Sequence, residues 1–163
     1  MNNIHETAII YPGVTLGKNI YIGAYCIIGA PAEDKKYWNQ KQKHSVFIGD
    51  NTIIHGHVTI DAGTKRTTVV SDDCFIMKGC YIGHDSHIAI GVTMSPHVLI
   101  GGNCIINYYT NLGMGSIVHQ RVNVPPKCMI GMNTTITKKT KMEKLGVYVG
   151  SPAKFLKWNE KLM

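Results

Sequence analysis

One period governs this sequence. From Val70 onward an aliphatic residue falls on every sixth position twelve times in succession: Val70, Ile76, Ile82, Ile88, Met94, Ile100, Ile106, Leu112, Val118, Val124, Ile130 and Ile136. Ile, Val, Leu and Met make up 47 of the 163 residues, so chance gives such a run on the order of once in a million. Four residues behind each hit stands a second uncharged residue, from Cys74, Cys80, Ser86 and Val92 to Cys128, Thr134 and Thr140. A period of six suits neither an amphipathic helix nor a plain alternating strand. It suits a β-solenoid, in which each hexad supplies one short strand and one corner.

The ladder starts at the first residues. Ile4, Ile10, Leu16, Ile22 and Ile28 keep the spacing, with Ala8, Val14, Ile20, Cys26 and Ala32 behind them. The next hit would be Asp34, but the period resumes at Ile48, so 48 − 34 = 14 residues are inserted. That insert, 34–47, is polar and basic, with aromatics among the charges. Ile54 and Ile60 follow in step, and Val70 arrives 70 − 66 = 4 residues late, which marks a second, short insert at Arg66–Val69. Past the ladder, 146–163 reads as a last strand and a short helix. Ser151 and Pro152 form its N-cap and first turn, and Phe155, Trp158 and Leu162 share one face. The expectation is therefore one all-β domain over 1–163, a parallel solenoid with a protruding loop and a small C-terminal helix.

Composition narrows the function. No charged-then-apolar leader and no apolar run of membrane-spanning length occurs, so a cytoplasmic chain without a membrane span is expected. All five cysteines fall on the second inward position, which assigns them to the core rather than to disulfides, metal binding or nucleophilic chemistry. The formal charge of +7 suits an anionic partner. Six Lys fall between 138 and 157, and five Lys or His between 35 and 44. The aromatics are not interleaved with these cations as in a nucleic-acid module, so no nucleic-acid partner is expected.

If three hexads close one coil, both inserts leave the same corner on consecutive coils. The next hexad at that corner is Ile82-Gly83-His84-Asp85-Ser86-His87. Eighteen residues on comes Gly102, and eighteen further Gln120, preceded by His119. One edge thus gathers two loops, two imidazoles and a glycine backbone. Histidine is suited to take a proton from a hydroxyl or amine near neutral pH. A glycine exposes a backbone N–H to a developing oxyanion. Acyl transfer needs both, with His84 as base and Gly102 as oxyanion donor. Asp85 either orients His84 or is a solvated corner residue.

Beyond the period, Met77–Asp85 (MKGCYIGHD) resembles the catalytic-histidine coil of the bacterial UDP-N-acetylglucosamine acyltransferases that begin lipid A synthesis. Gly113-Met114 through His119-Gln120, the Asp34-Lys35-Lys36-Tyr37 loop and Val58–Thr64 resemble further motifs of that family, in the same order. The resemblance implies a left-handed parallel β-helix of three hexads per coil. It also implies a homotrimer with sites between subunits, in which Asp34, Lys36, Tyr37, His119 and Gln120 bind a nucleotide-linked sugar. Tyr81 stands where the family has a histidine near the acyl group. The ending Gly150-Ser151-Pro152-Ala153-Lys154 resembles instead the hexapeptide acetyltransferases that use CoA, with Gly102, Gly113, Lys138 and Lys154 toward the donor. The reading is an acetyl-CoA-dependent acetyltransferase acting on a hydroxyl or amine of a nucleotide-linked sugar. An acyl-carrier protein is the alternative donor, and a non-catalytic β-helix scaffold is the alternative role. No metal is expected, because His84 and His87 do not reproduce the His-x4-His pair of the γ-type carbonic anhydrases, which resemble this scaffold.

Overall fold

The computed structural model describes residues 1–40 and 43–160. Among them, strands of two to five residues stack into three sheets of nine, seven and six strands, the sides of a prism. Successive strands pass from the first sheet to the second to the third. Each then pairs in parallel with the strand one coil on. Phe75 lies opposite Thr93, Tyr81 opposite Leu99 and His87 opposite Ile105, all 18 residues apart. The register absorbs both inserts: Tyr21 pairs with Ile53 and Thr59 with Tyr81, after which the 18-residue step returns.

From Ile22 to Ile136 each hit is buried, while Ile10 and Leu16 are partly buried and Ile4, on the first coil, is exposed. Ile22, Ile48, Ile54, Ile82, Ile100 and Ile106 are all fully buried, in columns parallel to the prism axis. The second inward position also has a bonding role. Ser86 Oγ donates to the carbonyl of Gly101, and Thr110 Oγ1 to that of Pro125. The thiols of Cys74, Cys80, Cys104 and Cys128 donate to Ala89, Ser95, His119 and Glu143 in the same way. In each case the acceptor lies 15 residues on, at a corner of the next coil. A small side chain with one donor satisfies a corner carbonyl that no strand partner reaches. Burial pushes the Cys74 thiol up to about 12 and those of Cys80 and Cys128 to about 11, so they remain neutral.

Corners are made three residues past the hit, in the left-handed region. Asn19, Asn51, Asp73, Asp85, Asn103 and Asn133 have φ between 53° and 62° there. Asn and Asp tolerate this conformation better than other side chains with a Cβ.

The ends differ from the sequence reading. The period runs past Ile136: Met142 packs on the core, and Tyr148, opposite Ile130, fills the last inward position as a fully buried ring. From Ser151 through Trp158 the expected helix does not form. Lys154–Trp158 is a strand, antiparallel to Gly146–Val149, with Tyr148 opposite Phe155 and Val149 opposite Lys154. An isolated helix of this length is marginal in water, whereas Gly146–Val149 offers an open edge to pair with. Phe155 stacks edge-on against Tyr148 and Trp158, which gives the strand its side-chain contacts. Leu162 lies outside the described residues. The long loop also starts and ends earlier than 34–47, because Ile27–Ala30 and Val46–Ile48 are both strands. No helix among the described residues is long and apolar enough to cross a membrane.

Ile100 is fully buried, whereas Ile90, at a corner, is 38% exposed. In urea unfolding, Ile100→Ala should lose about 3 to 4 kcal/mol and Ile90→Ala less than about 1 kcal/mol.

Candidate functional site

The corner between the second and third sheets carries every insertion in the ladder. The long loop joins Ile27–Ala30 to Val46–Ile48, and the short one joins Thr59–Asp61 to Thr68–Val70. Continuing along that edge come Gly83-His84-Asp85, Gly101-Gly102-Asn103, His119-Gln120-Arg121 and Thr137-Lys138-Lys139, one set per coil.

His84 and Asp85 are the centre of the edge. His84 Nδ1 lies 2.7 Å from Asp85 Oδ2, with the His84 side chain 14% exposed and that of Asp85 fully buried. The short loop spans 62–67, earlier than Arg66–Val69 because Thr68–Val70 is a strand, and it wraps the carboxylate: the N–H groups of Thr64, Lys65 and Arg66 donate to Oδ1 at 3.0, 2.8 and 2.8 Å. Thr64 Oγ1 donates to Oδ2 at 2.7 Å, and Arg66 Nε to the Asp85 carbonyl. Burial by itself would raise the Asp85 pKa. The donors from Thr64, His84, Arg66 and Lys65 outweigh it and hold the carboxyl well below the usual carboxylate range. An ionised Asp85 can only accept, so Nδ1 of His84 carries the proton and donates. Nε2 is then the basic nitrogen. Asp85 is therefore the residue that orients His84, and not a solvated corner residue.

Gly102 lies one coil above, roughly 5 Å along the axis. A Cβ built on Gly102 would come 2.6 Å from His84 Nε2, so only glycine leaves that nitrogen open. The Gly102 carbonyl accepts from Arg121 N–H, while its own N–H donates to no protein acceptor among the described residues.

The other expected site residues divide. His119 and Gln120 are exposed on the same edge one coil beyond Gly102, with His119 Nδ1 3.0 Å from the Gln120 carbonyl oxygen. Lys138 follows a coil later, roughly 14 Å from His84 along the axis. Asp34 folds the tip of the long loop: its carboxylate accepts from Lys36 N–H and its carbonyl from Tyr37 and Trp38 N–H. The Lys36 ammonium sits 5.3 Å from the Tyr37 ring centre. Tyr81 points its hydroxyl at Asp61 Oδ2, 2.5 Å away. Within one chain, Gly113 and Lys154 are elsewhere. Gly113 lies at the corner between the first and second sheets, in a 390 Å³ groove with Met114, Met129 and Met132. Lys154 lies on the last strand of the first sheet.

Sequence reasoning did not single out the short insert's backbone or Asp61. The extra four residues directly beneath His84 were the available signal. A second cleft, of 410 Å³, opens lower on the same edge between Tyr11, Pro31, His44, Ser45 and Thr67. Among the described residues no three His, Cys, Asp or Glu side chains are grouped to hold a metal ion.

The fold and this edge place the chain in the class of left-handed parallel β-helix proteins built from hexapeptide repeats. Its relatives within that class are UDP-N-acetylglucosamine acyltransferases. It is 32% identical over 119 residues to the acyl-[acyl-carrier-protein]–UDP-N-acetylglucosamine O-acyltransferase of Burkholderia orbicola, which covers 71% of this chain and 45% of the relative. The enzyme of that name from Paraburkholderia phymatum is 32% identical over 170 residues, covering 80% and 64%. The UDP-N-acetylglucosamine acyltransferase structure from Bacteroides fragilis superposes with a TM-score of 0.90 at 26% identity, over 97% of this chain and 61% of that one. The chain thus spans roughly half to two thirds of these relatives' length. No family model matches it.

Because Asp85 has a depressed pKa, its stabilisation is full above the unfolded-state value of about 4 and is lost as pH falls below it. Asp85→Asn should cost on the order of 3 kcal/mol at pH 7, and the gap to the unmodified protein should close below about pH 4 in denaturant titrations.

Proposed function

We propose that the protein is an acyltransferase that moves an acyl group from a carrier thioester to a hydroxyl or amine of a UDP-linked amino sugar. The observation that carries this is the pair formed by His84, oriented by buried Asp85, and Gly102 one coil above. The relatives, whose names specify acyl-carrier protein and UDP-N-acetylglucosamine, support that donor and that acceptor.

In the reaction, His84 Nε2 removes the proton from the acceptor as its oxygen or nitrogen attacks the thioester carbonyl. The new C–O or C–N bond forms, and the Gly102 N–H stabilises the oxyanion. Collapse breaks the C–S bond, and the proton passes from His84 to the leaving thiolate. Asp85 keeps Nδ1 protonated throughout, so the same nitrogen serves as base and then acid. The acceptor is held by Asp34, Lys36 and Tyr37 and by His119 and Gln120, in a homotrimer whose sites lie between subunits. Lys138 meets phosphate of the donor.

A second donor, acetyl-CoA, rests on the Gly150–Lys154 segment, which forms the turn into the last strand. The deciding experiment supplies purified protein with UDP-N-acetylglucosamine and either acyl-loaded carrier protein or acetyl-CoA, with product followed by mass spectrometry. Turnover with carrier protein alone supports the first donor, and turnover with acetyl-CoA alone the second. Turnover with neither would remove the enzymatic reading and leave a scaffold. His84→Ala should lower turnover about 10²- to 10⁴-fold. Gly102→Ala should do so at least as severely, because the added methyl meets Nε2.

A further inference from the structure

Tyr81 and Asp61 form a contact for which the proposed mechanism has no use. Asp61 is 1% exposed. Its Oδ2 accepts the Tyr81 hydroxyl at 2.5 Å and also the Glu33 N–H at 3.4 Å. Burial pushes the Asp61 carboxyl up; the Tyr81 hydrogen bond and the Glu33 N–H oppose that, and the Glu33 charge adds to it. Burial and the nearby Asp61 carboxylate likewise push the Tyr81 phenol up, so its proton stays on oxygen and the group remains a donor.

The position of the pair gives it a role. Tyr81 is on the strand Tyr81–Ile82, two residues before the corner that carries His84. Asp61 ends the strand one coil below, where the ladder bulges and Ala30 faces Asp61. Ala30 is the last strand residue before the long loop, and its carbonyl accepts from Ala62 N–H. Glu33 lies inside that loop, immediately before the Asp34 turn that presents Lys36 and Tyr37. One buried carboxylate therefore joins the catalytic coil to the root of the long loop. Among the described residues, loop positions 31–40 and 43–45 belong to no strand that would fix them.

We propose that Tyr81 and Asp61 are a latch that fixes the root of the long loop to the catalytic coil. Tyr81 is then a positioning residue for the acceptor, acting through Asp61, and not a contact to the acyl group. This rests on the acyltransferase reading for its kinetic consequence and on geometry alone for its structural one. Tyr81→Phe keeps the ring and deletes only the hydroxyl. Asp61→Ala deletes the acceptor, and Asp61→Asn keeps a neutral oxygen for the phenol.

The test has two arms. In steady-state kinetics with acceptor and donor varied separately, Tyr81→Phe and Asp61→Ala should each raise the acceptor KM about tenfold, with kcat and donor KM within about twofold. The double variant should be no worse than either single one, and Asp61→Asn should fall between Asp61→Ala and the unmodified protein. A change in donor KM instead, or additive losses in the double variant, would overturn the latch. In hydrogen exchange, amides of residues 32–38 should exchange at least about tenfold faster in Tyr81→Phe, while those of the Ile100 and Ile106 strands stay protected. Equal protection of 32–38 in both proteins would overturn it. If the unmodified protein turns over no acceptor, the enzymatic reading fails, and the exchange arm still decides the latch.

Discussion

Stacking of one coil on the next is the constraint on which everything else depends. Most strands here are only two residues long, too short to hold by their own side chains. They persist because most find a parallel neighbour one coil away on either side, with an aliphatic column sealed beneath. Any residue added within a strand would turn the inward column outward for that coil and break the ladder. Added residues survive only at corners, where the chain is already outside the sheets. The same argument explains why Cys74, Cys80, Ser86, Cys104, Thr110 and Cys128 stand in the second column, since corners leave carbonyls that the sheets cannot reach, whereas the hydroxyls of Ser116 and Thr134 there bond none among the described residues.

Corners are consequently where chemistry can collect. Any of the three edges could have carried the insertions, but both are on one. The short insert does more than decorate it. Its three consecutive N–H groups and one hydroxyl converge on Asp85, and that carboxylate fixes the protonated nitrogen of His84. The left-handed turn found at most corners is, at this one, made by the residue that also bonds the His84 imidazole. Fold and site thus share an atom set: loosening the corner would disorder the imidazole.

Where the sequence misled, a partner in space had overridden local preference. Ser151-Pro152 before Phe155, Trp158 and Leu162 carries the signs of a helix start. The open edge of Gly146–Val149 gave the chain a pairing surface that a local pattern cannot register. Tyr81 stands where the resembled family has a histidine near the acyl group. Its hydroxyl is committed to Asp61, a residue 20 positions earlier that only coil stacking brings near. Gly113 and Lys154 carried motif signals but fall on other parts of the prism within one chain.

The period of six by itself determined the solenoid and the inward columns; with the three hexads per coil that the resemblance implies, it also gave the corner shared by the two inserts and the alignment of His84, Gly102 and Gln120 along it. It could do so because a repeat that stacks in register converts sequence distance directly into height and face. Only the tertiary structure decided what the non-repeating residues do: that Asp85 is wrapped by Thr64–Arg66, that Tyr81 reaches Asp61 and that Lys154–Trp158 is an antiparallel strand. Those contacts join side chains and loops that follow no period. Their partners are chosen by which unsatisfied groups the stacked coils leave within reach.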